Sequence, residues 1–111
     1  MTGPAPEIVT VYATFASAEE AERIARSVVE ERLAACANIL APCRSIYRWQ
    51  GAIEEAQEVP VLFKTAAARA EALIARIAEL HSYDVPAAVV WPIAHSLDSY
   101  RGWVTESVDF D

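Results

Sequence analysis

The side chains of this chain that bind metals or attack electrophiles are few: Cys36, Cys43, His81 and His95. A thiol beside an imidazole makes a nucleophile and base, so Cys36 or Cys43 near His81 or His95 would supply thiolate chemistry. Nothing local activates either thiol, because no helix N-terminus follows and no signature surrounds it. The sequence is therefore read as non-enzymatic. A soft or borderline metal instead needs converging N, S or O donors, and the candidates are His81, Cys36, Asp84 and His95. His81 falls where a helix breaks into His81-Ser82-Tyr83-Asp84, so its ring is expected half exposed and available. A helix-terminal histidine that donates to carbonyls fits the same position. Each cysteine equally suits a small buried hydrophobe. No Cys-x-x-Cys, paired-cysteine zinc framework or His-Glu-x-x-His motif occurs. One histidine per chain makes a weak site that a symmetric oligomer would multiply.

An anion or small-molecule pocket is the other candidate chemistry. Lys64 stands just before Thr65, which is expected to open a helix, and a cation beside free helix amides makes an anion cradle. Tyr47, Trp49, Tyr83 and Trp91 offer amphipathic rings to wall such a cleft. The competing expectation is that Lys64 snorkels at a sheet edge and the rings pack subunits together.

The elements that must position these residues are legible in the hydrophobic pattern. Residues 8–15 (IVTVYATF) are β-branched and aromatic, the composition of a buried strand. Ser17-Ala18-Glu19-Glu20 fits a capping box, in which Ser17 accepts from the Glu20 amide and Glu20 reaches back. Ala21, Ile24, Ala25, Val28 and Leu33 follow as the apolar face of an amphipathic helix. Cys36 to Ile39 restarts an extended pattern, Pro42 interrupts it, and Arg44 to Trp49 resumes it. Gln50-Gly51 turns the chain, with glycine where positive φ is needed, and Ile53 to Lys64 returns. This is one hairpin, longer than so small a domain requires for its own core. Pro60 lies awkwardly in the return strand, which demands either a break in pairing there or an edge. A second helix carries Ala70, Leu73, Ile74, Ile77 and Leu80. A fourth strand spans 87–93, and Ser96 opens a third helix with Leu97, Tyr100, Trp103 and Val104 inward. The order predicts an α+β, ferredoxin-like βαββαβ sandwich with an extended hairpin between its second and third strands and a C-terminal helix. Two helices cover one sheet face, and the other is left bare.

Composition bounds what such a domain does. The 111 residues carry 16 acids against 9 bases, a net charge of −7, and the bases are scattered. Nucleic acid and anionic membrane are thereby poor partners. Hydrophobic residues make up 54%, with 3 Gly and 6 Pro, which argues against disorder. The mean hydropathy of +0.17 is high for a small monomer, and burial between subunits is its simplest outlet. No apolar run approaches the ~20 residues of a membrane span. The first residues show no secretory pattern, so a cytoplasmic location with two free thiols is expected. One domain over 8–108 is expected, with a short arm at 1–7 and a tail at 109–111.

Five segments together resemble one known family. They are Ala34-Ala35-Cys36-Ala37-Asn38-Ile39, Ser45-Ile46-Tyr47-Arg48-Trp49-Gln50-Gly51, Glu58 with Lys64-Thr65, His81-Ser82-Tyr83-Asp84-Val85-Pro86, and Pro92-Ile93 with Tyr100-x-x-Trp103. In order and spacing they are similar to the divalent-cation tolerance proteins called CutA. The resemblance implies a homotrimer whose long hairpins extend across subunits, similar in architecture to PII signalling proteins. It implies a link to copper or other divalent cations in metal homeostasis, with no required cofactor. Some members carry a cysteine at the end of the first strand and a His-His pair before Pro-Tyr, and here those positions are Ala13, Leu80 and His81. The metal candidates are then His81 and Cys36. The alternative is a PII-like module that holds an anion or metabolite in an interface pocket of Lys64, Trp49, Tyr47, Glu58 and Tyr83.

Overall fold

Alternation decides the fold at Ile8–Phe15 (β1), where Val9, Val11, Ala13 and Phe15 are buried on one face. The structure, a computed structural model, describes residues 7–109. The expected arm and tail lie almost wholly outside those residues. Helix α1 (Ala18–Glu30) sets Ala21, Ile24, Ala25 and Val28 on the helix-side face of β1. Its start is a variant of the expected box. Ser17 Oγ accepts from the Glu20 amide at 3.1 Å, but Glu20 Oε1 accepts from the Ala16 amide, one residue before the cap. Its end comes earlier than Leu33. Arg32 takes φ 60°, and the Leu33 and Arg32 amides donate to the Val28 and Val29 carbonyls. This is a Schellman stop built on arginine rather than glycine, with Leu33 folded back onto the core.

The spine of the sheet is β4 (Ala52–Ala66). It pairs antiparallel with β1 on one side and with β2 (Cys36–Ile39) and β3 (Cys43–Trp49) on the other. With β5 (Ala88–Pro92) beyond β1, the order is β2-β4-β1-β5, the ferredoxin-like arrangement expected. A two-residue turn joins β3 to β4, and Gln50 (φ 50°) joins Gly51 (φ 82°) in the left-handed region, as a type I′ turn requires.

Pro60 is explained by the interruption opposite it. A residue in an antiparallel ladder points its N and C=O toward the same neighbour. Leu40 N–H donates to the Pro60 carbonyl at 3.0 Å, so the proline nitrogen also faces the side of β2 and β3. There β2 has ended at Ile39↔Val61 and β3 has yet to begin at Cys43↔Glu58. The missing donor falls in the gap at 40–42, and the β1 pairing through Thr14↔Pro60 loses nothing.

Strand β4 continues to Ala66 because it pairs with Ile8, and this overturns the expected cap at Thr65. Thr65 is fully buried in the strand, and its hydroxyl donates to the Leu33 carbonyl at 2.7 Å. A 3₁₀ turn at Ala67–Arg69 intervenes, and α2 (Ala70–Leu80) starts without a side-chain cap. Leu73 and Ile77 of α2 and Ile24 and Val28 of α1 close over Val59, Val61 and Phe63. Each such side chain contributes about 1.5–3 kcal/mol when removed from water.

The third helix differs from expectation. It runs Asp98–Ser107 (α3), with Ser96 two residues outside it. Leu97 is 75% exposed and Trp103 46% exposed, while Val104 and Val108 are buried against Ile8 and Ala35 with Tyr100 beside them. Since Ile8 and Ala66 belong to the face opposite the two other helices, α3 covers one end of the face expected bare. The rest of that face stays open, with Tyr12 stacked on Trp91 at 4.9 Å between centroids.

Candidate functional site

At the far end of the same sheet face, β3 leaves the body of the domain and a cleft of about 540 Å³ opens beneath it. Alternation puts Ser45, Tyr47 and Trp49 of β3 on one face with Glu58 of β4 and Thr14 of β1. The opposite wall is the loop from α2 to β5, which contributes Tyr83, Asp84, Val85 and Ala87. The lining carries two carboxylates and no lysine, arginine or histidine.

The loop is held against the sheet by a chain of hydrogen bonds that begins at α1. Glu20 Oε2 accepts from the Ser82 amide at 2.8 Å while Oε1 holds Ala16, so one carboxylate joins the β1–α1 turn to the loop. Burial alone would raise the Glu20 pKa, but the bonds from Ser82 and Ala16, with His81 nearby, bring it below its usual value. His81 then caps α2. Its ring stacks on Phe15 at 4.9 Å, Nε2 lies 2.7 Å from the Thr14 carbonyl, and Nδ1 accepts from the Tyr83 amide at 3.1 Å. That pairing takes the imidazole with its proton on Nε2. Tyr83 is fixed by its ring against His81 at 4.7 Å and by its hydroxyl, which donates to Glu58 Oε2 at 2.9 Å. Burial, then the Glu58 bond and charge, push the Tyr83 pKa up to about 12, so the hydroxyl stays a donor at neutral pH.

Four of the five expected pocket residues therefore meet: Tyr47, Trp49, Glu58 and Tyr83. Lys64 does not join them. It sits within β4, six strand positions from Glu58 and about 20 Å along the chain, and its ammonium donates to Asn38 Oδ1 at 3.2 Å. With no helix starting at Thr65, the expected anion cradle has no amides to offer. Trp91 is likewise outside, stacked on Tyr12. Thr14, Ser45, Val85 and Ala87 escape sequence reasoning, although Ser45 is two residues from Tyr47 and so shares its face of a strand, and Asp84, expected as a metal donor, lines the cleft instead.

The metal candidates are not brought together. His81 is 9% exposed rather than half exposed, and both ring nitrogens are engaged. Cys36 pairs with Lys64 while His81 bonds at Thr14, opposite Pro60, a separation of about 13 Å along the strands alone. Cys36 Sγ lies 3.7 Å from the Tyr100 hydroxyl, and burial followed by this contact pushes the Tyr100 pKa up to about 12. Cys43 Sγ is 3.8 Å from Ser45 Oγ, and both cysteines are free. Among the described residues, no group of three His, Cys, Asp or Glu side chains is placed to hold a metal ion. No helix among them is long and apolar enough to cross a membrane.

Comparison with known proteins agrees along nearly the whole chain. Residues 9–107 match the family described as CutA1 divalent ion tolerance protein. A divalent-cation tolerance protein CutA of Thermus thermophilus is 45% identical over 97 residues, covering 87% of this chain and 94% of that one. The chloroplastic protein CutA of Arabidopsis thaliana is 36% identical over 92% of this chain and 56% of its own length. The crystal structure of CutA from Xylella fastidiosa superposes with a TM-score of 0.90 at 38% identity, over 93% of this chain and 99% of that one. A structure described as the periplasmic divalent cation tolerance protein CutA from Archaeoglobus fulgidus gives 0.89 at 36% identity, over 92% and 99%.

Proposed function

The chain belongs to the CutA1 divalent ion tolerance family, and from that premise we propose a non-enzymatic, homotrimeric protein of metal homeostasis that binds copper or another divalent cation weakly. The observation that carries this reading is the charge: −7 per chain, with Glu58 and Asp84 in a cleft lined by no cation. Three such chains together build a field that enriches divalent cations at the surface. His81 serves as a donor by exchanging its Thr14 or Tyr83 bond for a metal, and Cys36 by leaving Tyr100. Those exchanges are the reason for weak binding. Assembly is supported by the hairpin, where Ile46 is 62% and Ile53 60% exposed with no cover from their own chain. The two free thiols support a reducing, cytoplasmic location.

Isothermal titration of the protein and of His81→Ala with Cu²⁺ and Zn²⁺ tests the metal site. Saturable heat in the parent that weakens about tenfold in the variant is expected, the scale of one lost ligand interaction. Equal, negligible heats in both overturn it. The volume and aromatic lining of the cleft favour a second reading, a PII-like module for a small metabolite. Two carboxylates and the absence of Lys64 turn that reading away from the anion expected from sequence.

A further inference from the structure

We propose that the cleft between β3 and the loop at 82–87 is a binding site for a small organic cation, of the primary or quaternary ammonium class. The inference rests on the small-metabolite reading and requires no bound metal.

Three aromatic side chains line the cleft: Tyr47 and Trp49 on one wall and Tyr83 on the other. Among the described residues none of the three stacks on another, so the ring faces of Tyr47 and Trp49 are not spent on each other. Such faces attract a diffuse positive charge through their quadrupoles, most strongly for tryptophan. A divalent metal gains nothing from a ring face and wants oxygen donors. An organic ammonium gains from both the rings and the carboxylates.

The charge pattern selects the same class. Glu58 and Asp84 are the carboxylates of the lining, no basic side chain neutralises them there, and Tyr83 offers a neutral hydroxyl that donates to Glu58. Glu58 is engaged by the Tyr83 hydroxyl through Oε2 alone. An anion entering this space would meet two carboxylates with no counter-charge, and a neutral ligand would leave their charge uncompensated. The volume of about 540 Å³ suits a compact ligand rather than a chain.

The wall is also fixed before any ligand arrives. Glu20 holds Ser82, His81 holds the Tyr83 amide, and Glu58 holds the Tyr83 hydroxyl. A site whose side chains are already ordered loses less entropy on binding.

Choline is a suitable probe, with 3,3-dimethyl-1-butanol as its neutral isostere and inorganic phosphate as an anion. Ligand-observed NMR on the assembled protein should show choline binding about tenfold or more tightly than the isostere, and no phosphate binding. Tyr47→Leu, which keeps apolar bulk without the quadrupole, and Glu58→Gln, which keeps an acceptor for Tyr83, should each weaken choline about fivefold or more while melting like the parent. Equal binding of choline and the isostere overturns the proposal. So does binding by neither, as when a second copy of the chain fills the cleft, and so does preference for phosphate. Unchanged choline affinity in both folded variants overturns it as well. Weaker metal binding in Cys36→Ala, a residue outside the cleft lining, with choline binding intact separates the two sites.

Discussion

The two halves of β4 are one continuous strand in two unlike environments. From Val59 to Ala66 it is flanked by β1 and β2, and Val59, Val61, Phe63 and Thr65 are buried under α1 and α2. From Ala52 to Glu58 it has β3 alone beside it, and nearly every residue is exposed, Ile53 included. The first half is paired on two sides and the second on one, which leaves the second with an open edge. Burial separates them as sharply. An isolated two-stranded ribbon is marginal in water, yet this one carries Ile46, Tyr47, Trp49 and Ile53 outward. The first half contributes stability within the chain, and the second leaves apolar surface exposed, which the proposed assembly and ligand would cover.

Four variants break or sharpen that contrast. Phe63→Ala removes a fully buried ring packed edge-on to Phe15. It should destabilise the fold by about 3–5 kcal/mol, read as a lower urea midpoint. The double change Ile46→Ser with Ile53→Ser alters the exposed half. Melting of the single-chain fold should move little, while assembly loses about 1.5–3 kcal/mol per side chain covered by another copy, read by sedimentation. A large loss of chain stability with unchanged sedimentation would reverse the roles of the two halves.

Glu20→Gln should cost about 1 kcal/mol at neutral pH by weakening the bonds to Ala16 and Ser82. Because the Glu20 pKa is lowered on folding from an ordinary 4.5, its contribution is complete above that value. It is lost as pH falls through the folded pKa. The gap between parent and variant should therefore close in acid, and a gap that widens there would contradict the assignment. Pro60→Ala tests the gap at 40–42. The restored N–H has no strand residue opposite, so the variant should lose about 0.4–1 kcal/mol through a looser unfolded chain. A gain in stability would mean that the new donor had found a partner.

Periodicity made the buried half legible. Alternation in β1 and in residues 59–65, and the helical stripes of α1 and α2, are local signals of a face that meets the core. Element ends were less legible, for physical reasons. Arg32 stops α1 in a conformation that glycine usually marks, and Thr65 resembles a cap but is held in β4 by the distant Ile8 pairing. In the cleft, Tyr47, Trp49, Glu58 and Tyr83 were named from sequence and do meet. Lys64 lies away from this chain's cleft, because the helix start expected at Thr65 does not occur and β4 continues past it. Asp84 is legible in the sequence only as a metal donor, and Ser45 not as a lining residue, because the cleft depends on how the loop at 82–87 closes, and Glu20 and His81 set that closure from positions remote in sequence. The same bonds bury the His81 ring, which a helix end alone would leave available.

The central claim is that the exposed half of β4 and its β3 partner are completed by other copies of this chain. Native mass spectrometry at micromolar concentration measures it directly. The account predicts a dominant species of three times the 12.1 kDa chain, reduced to smaller species by Ile46→Ser with Ile53→Ser. A parent protein that remains a single chain, with the hairpin ordered in solution, would contradict it.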